Sequence, residues 1–358
     1  METCELNAPE QLLEVNDLRT HFFLHEGTVR AVDGVSFSVC CGRTLGVIGE
    51  SGCGKSVTAQ SILRLVPEPP GKIVGGSICL YMPAKEGEAG KVLDIAKMTA
   101  GGEEIRSVRW KEISMVFQEP MTSLSPVHTV GDQIVEAMTL HLPGMEKEQA
   151  REQAIGLLDS VGIPKADKFI DAYSYQLSGG MRQRAMVAMA LSCNPRLLIA
   201  DEPTTALDVT IAAQMLALLQ ELKADRNMAM LYISHDLAVI SEVSDDVMVM
   251  YLGVAVEVAE ADEVFRHPMH PYTQALWRSI PSLEGELARL EPIAGTVPGP
   301  YVVHPGCRFF ARCESAMAGK CNVAEPALVE VAPGHKVRCF LYSDRAEEPR
   351  ADVETAQG

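Results

Sequence analysis

The sequence predicts an α/β fold built on a parallel sheet, and three stretches carry that prediction. The apolar run TLGVI leads into the glycine-rich GESGCGKS, which is followed by SVTAQSILRLV at helical spacing. RLLIADEP and AMLYISHD are further apolar runs, and TIAAQMLALLQELKADR lies between them with helical spacing. Fully buried parallel strands read as continuous apolar runs, and strands that alternate with helices are typical of a parallel sheet.

The sequence pattern of residues 12–48, ahead of the glycine-rich stretch, predicts that the N-terminal part of the chain forms antiparallel β-strands. LLEVNDL and VRAVDGVSFSV alternate between apolar and polar residues, and turns are expected at Glu26-Gly27 and Cys41-Gly42. Residues 82–104 are polar and rich in glycine, which predicts an exposed loop or hairpin.

Two further segments interrupt or follow the α/β pattern. Residues 120–178 predict a mostly helical insertion, because VGDQIVEAMTLHL and EKEQAREQAIGLLDSVGI are amphipathic. From about residue 281 the sequence becomes punctuated by Pro and Gly. We therefore expect one domain over 1–280, a small cysteine-bearing extension over 281–345 and a disordered tail over 346–358.

Composition excludes several classes of function. The formal net charge of −17 argues against a broad nucleic-acid-binding face, so no nucleic-acid partner is expected. No run reaches 18 apolar residues, and the first fifteen residues lack the charged and apolar regions of a secretory signal. These features predict a protein of the cytosol with reduced thiols.

GESGCGKS fits the pattern G-x-x-x-x-G-K-[ST] in its confirming position, after a strand and before a helix. Its glycines let backbone N–H groups surround phosphates, Lys55 is expected to reach the β- and γ-phosphates, and Ser56 to hold Mg²⁺. The candidate nucleotide-binding residues of this loop are Gly49, Glu50, Ser51, Gly52, Cys53, Gly54, Lys55 and Ser56.

Four residues at expected strand ends complete this candidate site. Asp201 and Glu202 end the run LLIADE, where Asp201 would support Mg²⁺ and Glu202 would orient and polarise the attacking water. Gln118 and His235 follow other apolar runs and could reach the γ-phosphate, with Gln118 also a candidate Mg²⁺ ligand. We predict a catalytic set of Lys55, Gln118, Glu202 and His235.

YQLSGGMRQR, residues 175–184, predicts a second anion-binding helix start. Ser178 is a good helix N-cap, and Gly179 and Gly180 leave backbone N–H groups accessible at the positive end of the helix dipole. One chain thus carries two such sites, and the sequence pattern alone does not say why.

Together these motifs resemble the ATP-binding subunits of ABC transporters, in order and in spacing, over residues 12–280. VFQEPMTSLSP, DEPTTALDVT and HPYTQAL are similar to the dipeptide and oligopeptide permease ATPases. The resemblance implies a P-loop NTPase core of the RecA-like type. It also implies a head-to-tail dimer, in which Ser178 and Gly180 of one subunit close over the nucleotide of the other and Asp208 lies at the interface.

The resemblance implies further partners and roles. An early aromatic usually stacks on adenine, and Phe22 or Phe23 is the candidate, with Phe23 preferred. The expected function is ATP hydrolysis that drives uptake of dipeptides or oligopeptides, with oligosaccharide or nickel as alternative substrates. The expected partners are two transmembrane permeases, a second identical or related ATPase subunit and, indirectly, a periplasmic binding protein. This places the chain on the cytoplasmic side of the inner membrane.

Two other ABC classes fit the sequence poorly. DNA-repair ATPases place coiled coils or zinc-bearing insertions between the glutamine and the LSGG helix, where this chain has only 59 residues without sustained heptads. Translation-associated factors carry two motif sets in one chain, and this sequence has a single set.

Four cysteines in the C-terminal segment form a separate pattern: Cys307, Cys313, Cys321 and Cys339, separated by 5, 7 and 17 residues. A short cytosolic segment with little periodic core needs a staple other than disulfides. Four thiolates suit Zn²⁺ or an iron–sulfur cluster, and the absence of C-x-x-C pairs favours iron. The resemblance agrees, since this region of the family matches GC-x5-C-x7-C and can carry a [4Fe–4S] cluster. Four ordinary reduced cysteines remain the alternative.

Overall fold

The computed structural model describes residues 11–84, 90–118, 123–205, 207–279 and 293–343. The predicted tail over 346–358 lies outside the described residues. The strands are β1 (Gln11–Leu24), β2 (Gly27–Cys40), β3 (Thr44–Ile48), β4 (Gly71–Met82), β5 (Lys91–Asp94), β6 (Ile113–Val116), β7 (Leu197–Asp201), β8 (Ala229–Ile233), β9 (Asp246–Tyr251), β10 (Val254–Glu260), β11 (Val329–Ala332) and β12 (His335–Val337).

The described helices alternate with these strands. They are α1 (Lys55–Ile62), α2 (Glu103–Val108), α3 (Val130–His141), α4 (Lys147–Ser160), α5 (Ala166–Phe169), α6 (Gly179–Leu191), α7 (Val209–Arg226), α8 (Leu237–Val243), α9 (Ala261–Arg266) and α10 (Pro271–Arg278). Short 3₁₀ turns cover Ile95–Lys97, Ser174–Gln176 and Phe310–Arg312. None of the described helices combines the length and the apolar character that crossing a membrane requires.

Among the described residues, the strands of the larger sheet have the order β11-β12-β10-β9-β3-β8-β7-β6. From β9 to β6 the strands are parallel, as the sequence predicts, whereas β10, β12 and β11 add antiparallel strands at one edge. The smaller sheet, of order β2-β1-β4-β5, is antiparallel. The α/β fold with an antiparallel N-terminal part is confirmed.

The main sheet is buried on both faces, which explains its continuous apolar runs. In β7, Leu197 and Ile199 pack into one apolar cluster while Leu198 and Ala200 pack into the other. Successive side chains of a strand point to opposite faces, so each of these residues must be apolar.

Several local expectations differ from the structure. The helix after the glycine-rich loop ends at Ile62, ahead of its expected end, because Arg64 has a φ of 53° and breaks the helical run. The segment 82–104 forms a hairpin in part, since β5 pairs with β4. Gln118 does not end a strand: β6 ends at Val116, two residues earlier.

The C-terminal segment has more regular structure than its Pro and Gly content predicts. β12 pairs with β10 and thereby extends the main sheet, and Phe309 and Val337 are almost fully buried. The described part of this segment therefore shares the core of the α/β unit. The domain boundaries expected from the sequence stay a prediction.

Candidate functional site

The carboxyl ends of β3, β6, β7 and β8 meet at one edge of the main sheet. The register pairs Ile233 with both Val47 and Asp201, and Val116 with Ala200, so these four strand ends lie side by side. The glycine-rich loop and the start of α1 follow β3, Asp201 is the last residue of β7, and Gln118, Glu202 and His235 lie just beyond the ends of β6, β7 and β8. Ligands of open α/β sheets bind at this edge.

The loop from Gly49 to Gly54 adopts a backbone that only glycine permits at three positions. Gly49, Gly52 and Gly54 have φ values of 152°, 78° and 103°. A Cβ on Gly49 would collide with the carbonyl of Met250, and one on Gly54 with the carbonyl of Ala31. The loop needs Gly49 and Gly54 both for conformation and for close approach to its neighbours, and Gly52 for conformation alone.

Lys55 is buried at the start of α1 and points back into this loop. Its Nζ donates to the carbonyl oxygens of Gly49 at 2.7 Å and of Glu50 at 3.3 Å. The loop carbonyls therefore hold the ammonium close to the place where a phosphate would bind.

Ser56 and Asp201 form the second pair. Ser56 Oγ donates to Asp201 Oδ1 at 3.1 Å, and Asp201 is only 4% exposed. Burial raises the pKa of Asp201, and the nearby charge of Glu202 acts in the same direction, while Ser56 and Lys55 lower it. A hydroxyl and a carboxyl side by side are oxygen ligands of the kind that Mg²⁺ prefers.

Glu202 is the centre of a hydrogen-bond cluster. Its Oε2 accepts from Gln118 Nε2 at 3.0 Å and from Thr205 Oγ1 at 3.1 Å, and lies 3.3 Å from His235 Nδ1. Glu202 has a φ of 46°, an unfavourable conformation for a residue with a Cβ. Such backbone strain concentrates at functional sites.

A cavity of about 470 Å³ lies over these groups. Its lining residues are Ala31, Ser51, Gly52, Gly54, Lys55, Ser56, Val57, Gln118, Glu202 and His235. A volume of this size accommodates a small-molecule ligand. The structure thus brings part of the predicted loop together at one cavity with Gln118, Glu202 and His235. Asp201 is not among the described residues that line the cavity, but it contacts the lining residue Ser56.

Four predicted residues, Ser178, Gly179, Gly180 and Asp208, lie away from this cavity. Ser178 caps α6, its Oγ accepting from the N–H of Met181 at 3.3 Å, and no atom outside the local chain lies within 4 Å of a Cβ placed on Gly179. Asp208 caps α7 by accepting from the N–H of Ile211 at 3.0 Å. Among the described residues that line the cavity, neither Ser178 to Gly180 nor Asp208 occurs.

Phe22 and Phe23, the adenine candidates, are not among the described residues that line this cavity either. Phe23 is 53% exposed, and its N–H donates to the carbonyl of Pro70. Phe22 lies against Gly71. The assignment of either ring to adenine stays a prediction.

The four C-terminal cysteines surround one small apolar cavity of about 10 Å³, together with Phe309, Phe310 and Phe340. The N–H of Cys307 donates to the carbonyl of Cys321 at 2.7 Å. Burial raises the pKa of Cys307 to about 11 and also raises those of Cys313 and Cys339. Within the described parts of the chain, no group of three or more His, Cys, Asp or Glu side chains is arranged to hold a single metal ion.

Comparison with known proteins identifies the family. Residues 32–205 match the family model of the ABC transporter, and residues 256–321 match the oligopeptide/dipeptide transporter C-terminal region. The oligopeptide transport ATP-binding protein AppD of Bacillus subtilis is 48% identical over 337 residues, which make up 94% of this chain and 98% of AppD. The chain belongs to the ABC-transporter ATP-binding proteins of this oligopeptide/dipeptide type.

Other relatives and structures agree. The dipeptide transport ATP-binding protein DppD of Escherichia coli is 44% identical over 338 residues, 94% of this chain and 99% of that protein. Among solved structures, the dimeric ATP-binding cassette MJ0796 bound to ADP and phosphate has a TM-score of 0.60 at 23% identity. It covers 70% of this chain and 99% of its own, and it shows the same fold.

This ABC ATP-binding protein also has site residues that motif reading did not assign. The contact of Thr205 with Glu202 could have been expected, since Thr205 lies only three residues beyond Glu202. Tyr272, whose hydroxyl accepts from the N–H of Glu50 at 3.0 Å, and Arg312, which pairs with Glu50, could not. Both lie more than 200 residues from the loop, and nothing local in the sequence relates them to it.

Proposed function

We propose that this chain is the ATP-hydrolysing subunit of an ABC importer for dipeptides or oligopeptides. One observation carries the proposal: Gln118, Thr205 and His235 converge on the carboxylate of Glu202. The cavity beside this carboxylate is also lined by Lys55 and by Ser56, which contacts Asp201. A carboxylate held by three neighbours beside a phosphate-binding loop is suited to orient a water molecule for attack on a phosphorus atom.

The steps follow from the positions of these groups. On nucleotide binding, Lys55 exchanges the carbonyls of Gly49 and Glu50 for phosphate oxygens, and the loop N–H groups contact the phosphates. Ser56 and Asp201 would hold Mg²⁺, which neutralises charge on the β- and γ-phosphates when bound. Glu202 then orients the water and accepts its proton, while Gln118 and His235 keep the carboxylate in place.

The role proposed for the LSGG helix is to act in trans. Ser178 and Gly179 are exposed at the N-terminus of α6 and are absent from the described lining of their own chain's cavity. A helix N-terminus that is free to meet an anion fits a γ-phosphate held by a second ATPase subunit. Asp208, exposed at the start of α7, would lie at the same interface. ATP would join the two subunits and hydrolysis would release them.

The proposed membrane partners are two permease subunits, which place the chain at the inner face of the inner membrane. The helical region 120–178 is the proposed docking surface, because Val127, Leu140 and Tyr175 are 73%, 71% and 65% exposed. Large apolar side chains that stay exposed favour a protein contact. Peptide is the proposed substrate class, since AppD and DppD are named for oligopeptide and dipeptide transport. Oligosaccharide and nickel are the alternatives.

We propose further that the four cysteines hold a [4Fe–4S] cluster, with Zn²⁺ as the alternative. The donor set supports this, because four thiols meet at one cavity that carries no competing charged group among its described lining residues. In this form the cavity is smaller than a cluster, so binding requires the thiols to separate. The cluster would staple the C-terminal segment, and no step of hydrolysis passes through it.

The test of the importer function uses the chain assembled with its permeases in vesicles that contain the cognate binding protein. We expect ATP hydrolysis to rise when the binding protein is loaded with a dipeptide or oligopeptide, and to be lost in Lys55→Ala. Hydrolysis that responds to nickel or an oligosaccharide but not to peptide would overturn the substrate class. Hydrolysis that persists in Lys55→Ala would overturn the site.

A further inference from the structure

The segment 307–313, CRFFARC, faces two sites at once. Its terminal residues Cys307 and Cys313 line the cysteine cavity, whereas its arginines Arg308 and Arg312 leave the segment toward the ATP-binding core. Phe309 lies between them, 5.3 Å from both Tyr251 and Tyr272 by ring centroid. The segment thus packs against β9 through Tyr251 and against α10 through Tyr272.

Arg312 makes a two-pronged ion pair with the phosphate loop. Its Nη1 donates to Glu50 Oε2 at 2.7 Å and its Nη2 to Glu50 Oε1 at 3.0 Å. Nε donates to the carbonyl of Ala294 at 3.0 Å, and the side chain is only 4% exposed. A bidentate guanidinium–carboxylate pair fixes orientation as well as distance, and here both partners lie against protein.

Glu50 is held from a second side by α10. Its N–H donates to the hydroxyl of Tyr272 at 3.0 Å, and burial holds the pKa of Tyr272 far above its ordinary value, so the hydroxyl remains neutral. The side chain of Glu50 is held by Arg312, and Glu50 is not among the described residues that line the nucleotide cavity.

Glu50 matters because Lys55 depends on its backbone. The carbonyls of Gly49 and Glu50 are the oxygens that Lys55 Nζ contacts. In the proposed mechanism they would lose that contact as the ammonium moves to phosphate. Gly49 and Gly52 on either side have positive φ angles, and inside the loop the carbonyl of Glu50 also accepts from the N–H of Cys53 at 3.2 Å. A contact to Glu50 from outside the loop, such as the ion pair with Arg312, would preserve the backbone conformation of the loop while Lys55 moves.

We infer that Arg312 is a positioning residue for the phosphate-binding loop. It holds Glu50, and through it the backbone of the loop, in the conformation that receives nucleotide. The cysteine-bearing segment is then a structural part of the ATP site, contributed from residues that lie 262 positions away in the chain. The inference rests on the proposed ATP-binding role of the loop.

The test measures the dissociation constant of a fluorescent ATP analogue with Mg²⁺ on the full-length chain, alongside the thermal midpoint. The variants are Arg312→Ala, Arg312→Lys, Glu50→Gln and the double Arg312→Ala/Glu50→Gln. Arg278→Ala is the matched control, because Arg278 pairs with Glu314 on the same side of the segment but both side chains are more than half exposed.

We expect Arg312→Ala and Glu50→Gln each to weaken binding roughly 10- to 100-fold, as displacing a positioning group does. The double variant should bind no worse than either single one, because both changes remove the same contact. Arg312→Lys, which keeps the charge but loses the fork, should recover part of the affinity. The control should bind within about twofold of the unmodified chain.

Three results separate the possibilities. If the unmodified chain fails to bind the analogue, the proposed function is wrong. If the unmodified chain binds and Glu50→Gln binds equally well, the positioning role is wrong, and this holds even where Arg312→Ala does not fold. A lower thermal midpoint with an unchanged dissociation constant in both single variants also overturns the inference, because it leaves Arg312 a purely structural role.

Discussion

The nucleotide cavity and the cysteine cavity differ in how their polar groups are satisfied. In the nucleotide cavity, Lys55, Ser56 and Glu202 each have partners from the protein itself. In the cysteine cavity, burial raises the pKa values of three thiols, and the described lining supplies no cation to offset a thiolate. The groups of the first site are already held by hydrogen bonds within the protein, whereas the thiols of the second stay neutral unless a bound cation supplies a counter-charge.

This difference has a consequence for stability. Catalytic groups that are already hydrogen-bonded lose little on reorganisation when substrate binds. Buried thiols without a counter-charge stay protonated, and binding a metal must release their protons. We therefore expect variants of the first site to alter chemistry, and variants of the second to alter the folding of the segment around it.

The largest effect is expected for Glu202→Gln. The amide keeps the shape of the side chain but cannot accept a proton from water, so turnover should fall about 100- to 1,000-fold. ATP-analogue affinity should stay close to that of the unmodified chain. Phosphate release and analogue titration measure the two quantities separately.

Thr205→Val is the matched control for that substitution. It removes one of three contacts to the same carboxylate oxygen and leaves the charge, so turnover should fall by less than about tenfold. Near-normal turnover in Glu202→Gln would mean that another group orients the water.

Metal analysis tests whether the cysteine cavity binds the proposed iron–sulfur cluster. Protein isolated without oxygen should be brown, absorb broadly near 400 nm and contain about four irons per chain. Cys321→Ser/Cys339→Ser should lose the iron and lower the thermal midpoint, whereas Cys41→Ser, at an exposed free cysteine, should change neither. Colourless anaerobic protein without iron would contradict the cluster, and one zinc per chain would favour the alternative.

A smaller effect is expected where the C-terminal segment is anchored to β2. Arg308 Nη2 donates to Asp33 Oδ2 at 2.7 Å, and the two side chains are 9% and 7% exposed. Arg308→Ala leaves a buried carboxylate without its main partner and should lower the free energy of unfolding by about 3–5 kcal/mol.

Arg151→Ala provides the comparison for Arg308→Ala. Arg151 pairs with Asp171 at a similar distance, but the two side chains are 44% and 61% exposed. Removing it should lower the free energy of unfolding by about 0–1 kcal/mol. Urea unfolding measures both variants. An equal decrease in the free energy of unfolding would show that the buried Arg308–Asp33 pair stabilises the fold no more than the exposed Arg151–Asp171 pair.

The smallest effect concerns the pH dependence of that anchor. Burial pushes the pKa of Asp33 upward, but Arg308 and His21 outweigh it, and the pKa lies below its ordinary value. The ion pair therefore stabilises the fold above the ordinary aspartate pKa and loses this contribution as the pH falls through the lowered value. In acid titrations followed by urea unfolding, Asp33→Asn should converge on the unmodified chain once the pH has fallen through this lowered pKa. A stability gap that persists there would contradict this assignment.

Much of the nucleotide site was predictable from sequence because its residues lie in short motifs at strand ends. GESGCGKS and LLIADEP are read locally, and parallel strands bring their carboxyl ends to one edge. The strand order could not be read in this way: β3 lies between β8 and β9, so neighbours in the sheet are far apart in the chain. Pairing of that kind depends on crossover connections and not on periodicity.

The sequence by itself determined the α/β fold, the phosphate loop, the carboxylate pair and the grouping of four cysteines, because each depends on residue types at short spacing. Only the tertiary structure decided that β12 extends the main sheet, that Gln118 and His235 converge on Glu202, and that Arg312 reaches Glu50. The physical reason is the range of the contacts. Arg312 and Glu50 meet because Phe309 packs against Tyr251 and Tyr272, and packing between distant segments leaves no pattern in either segment alone.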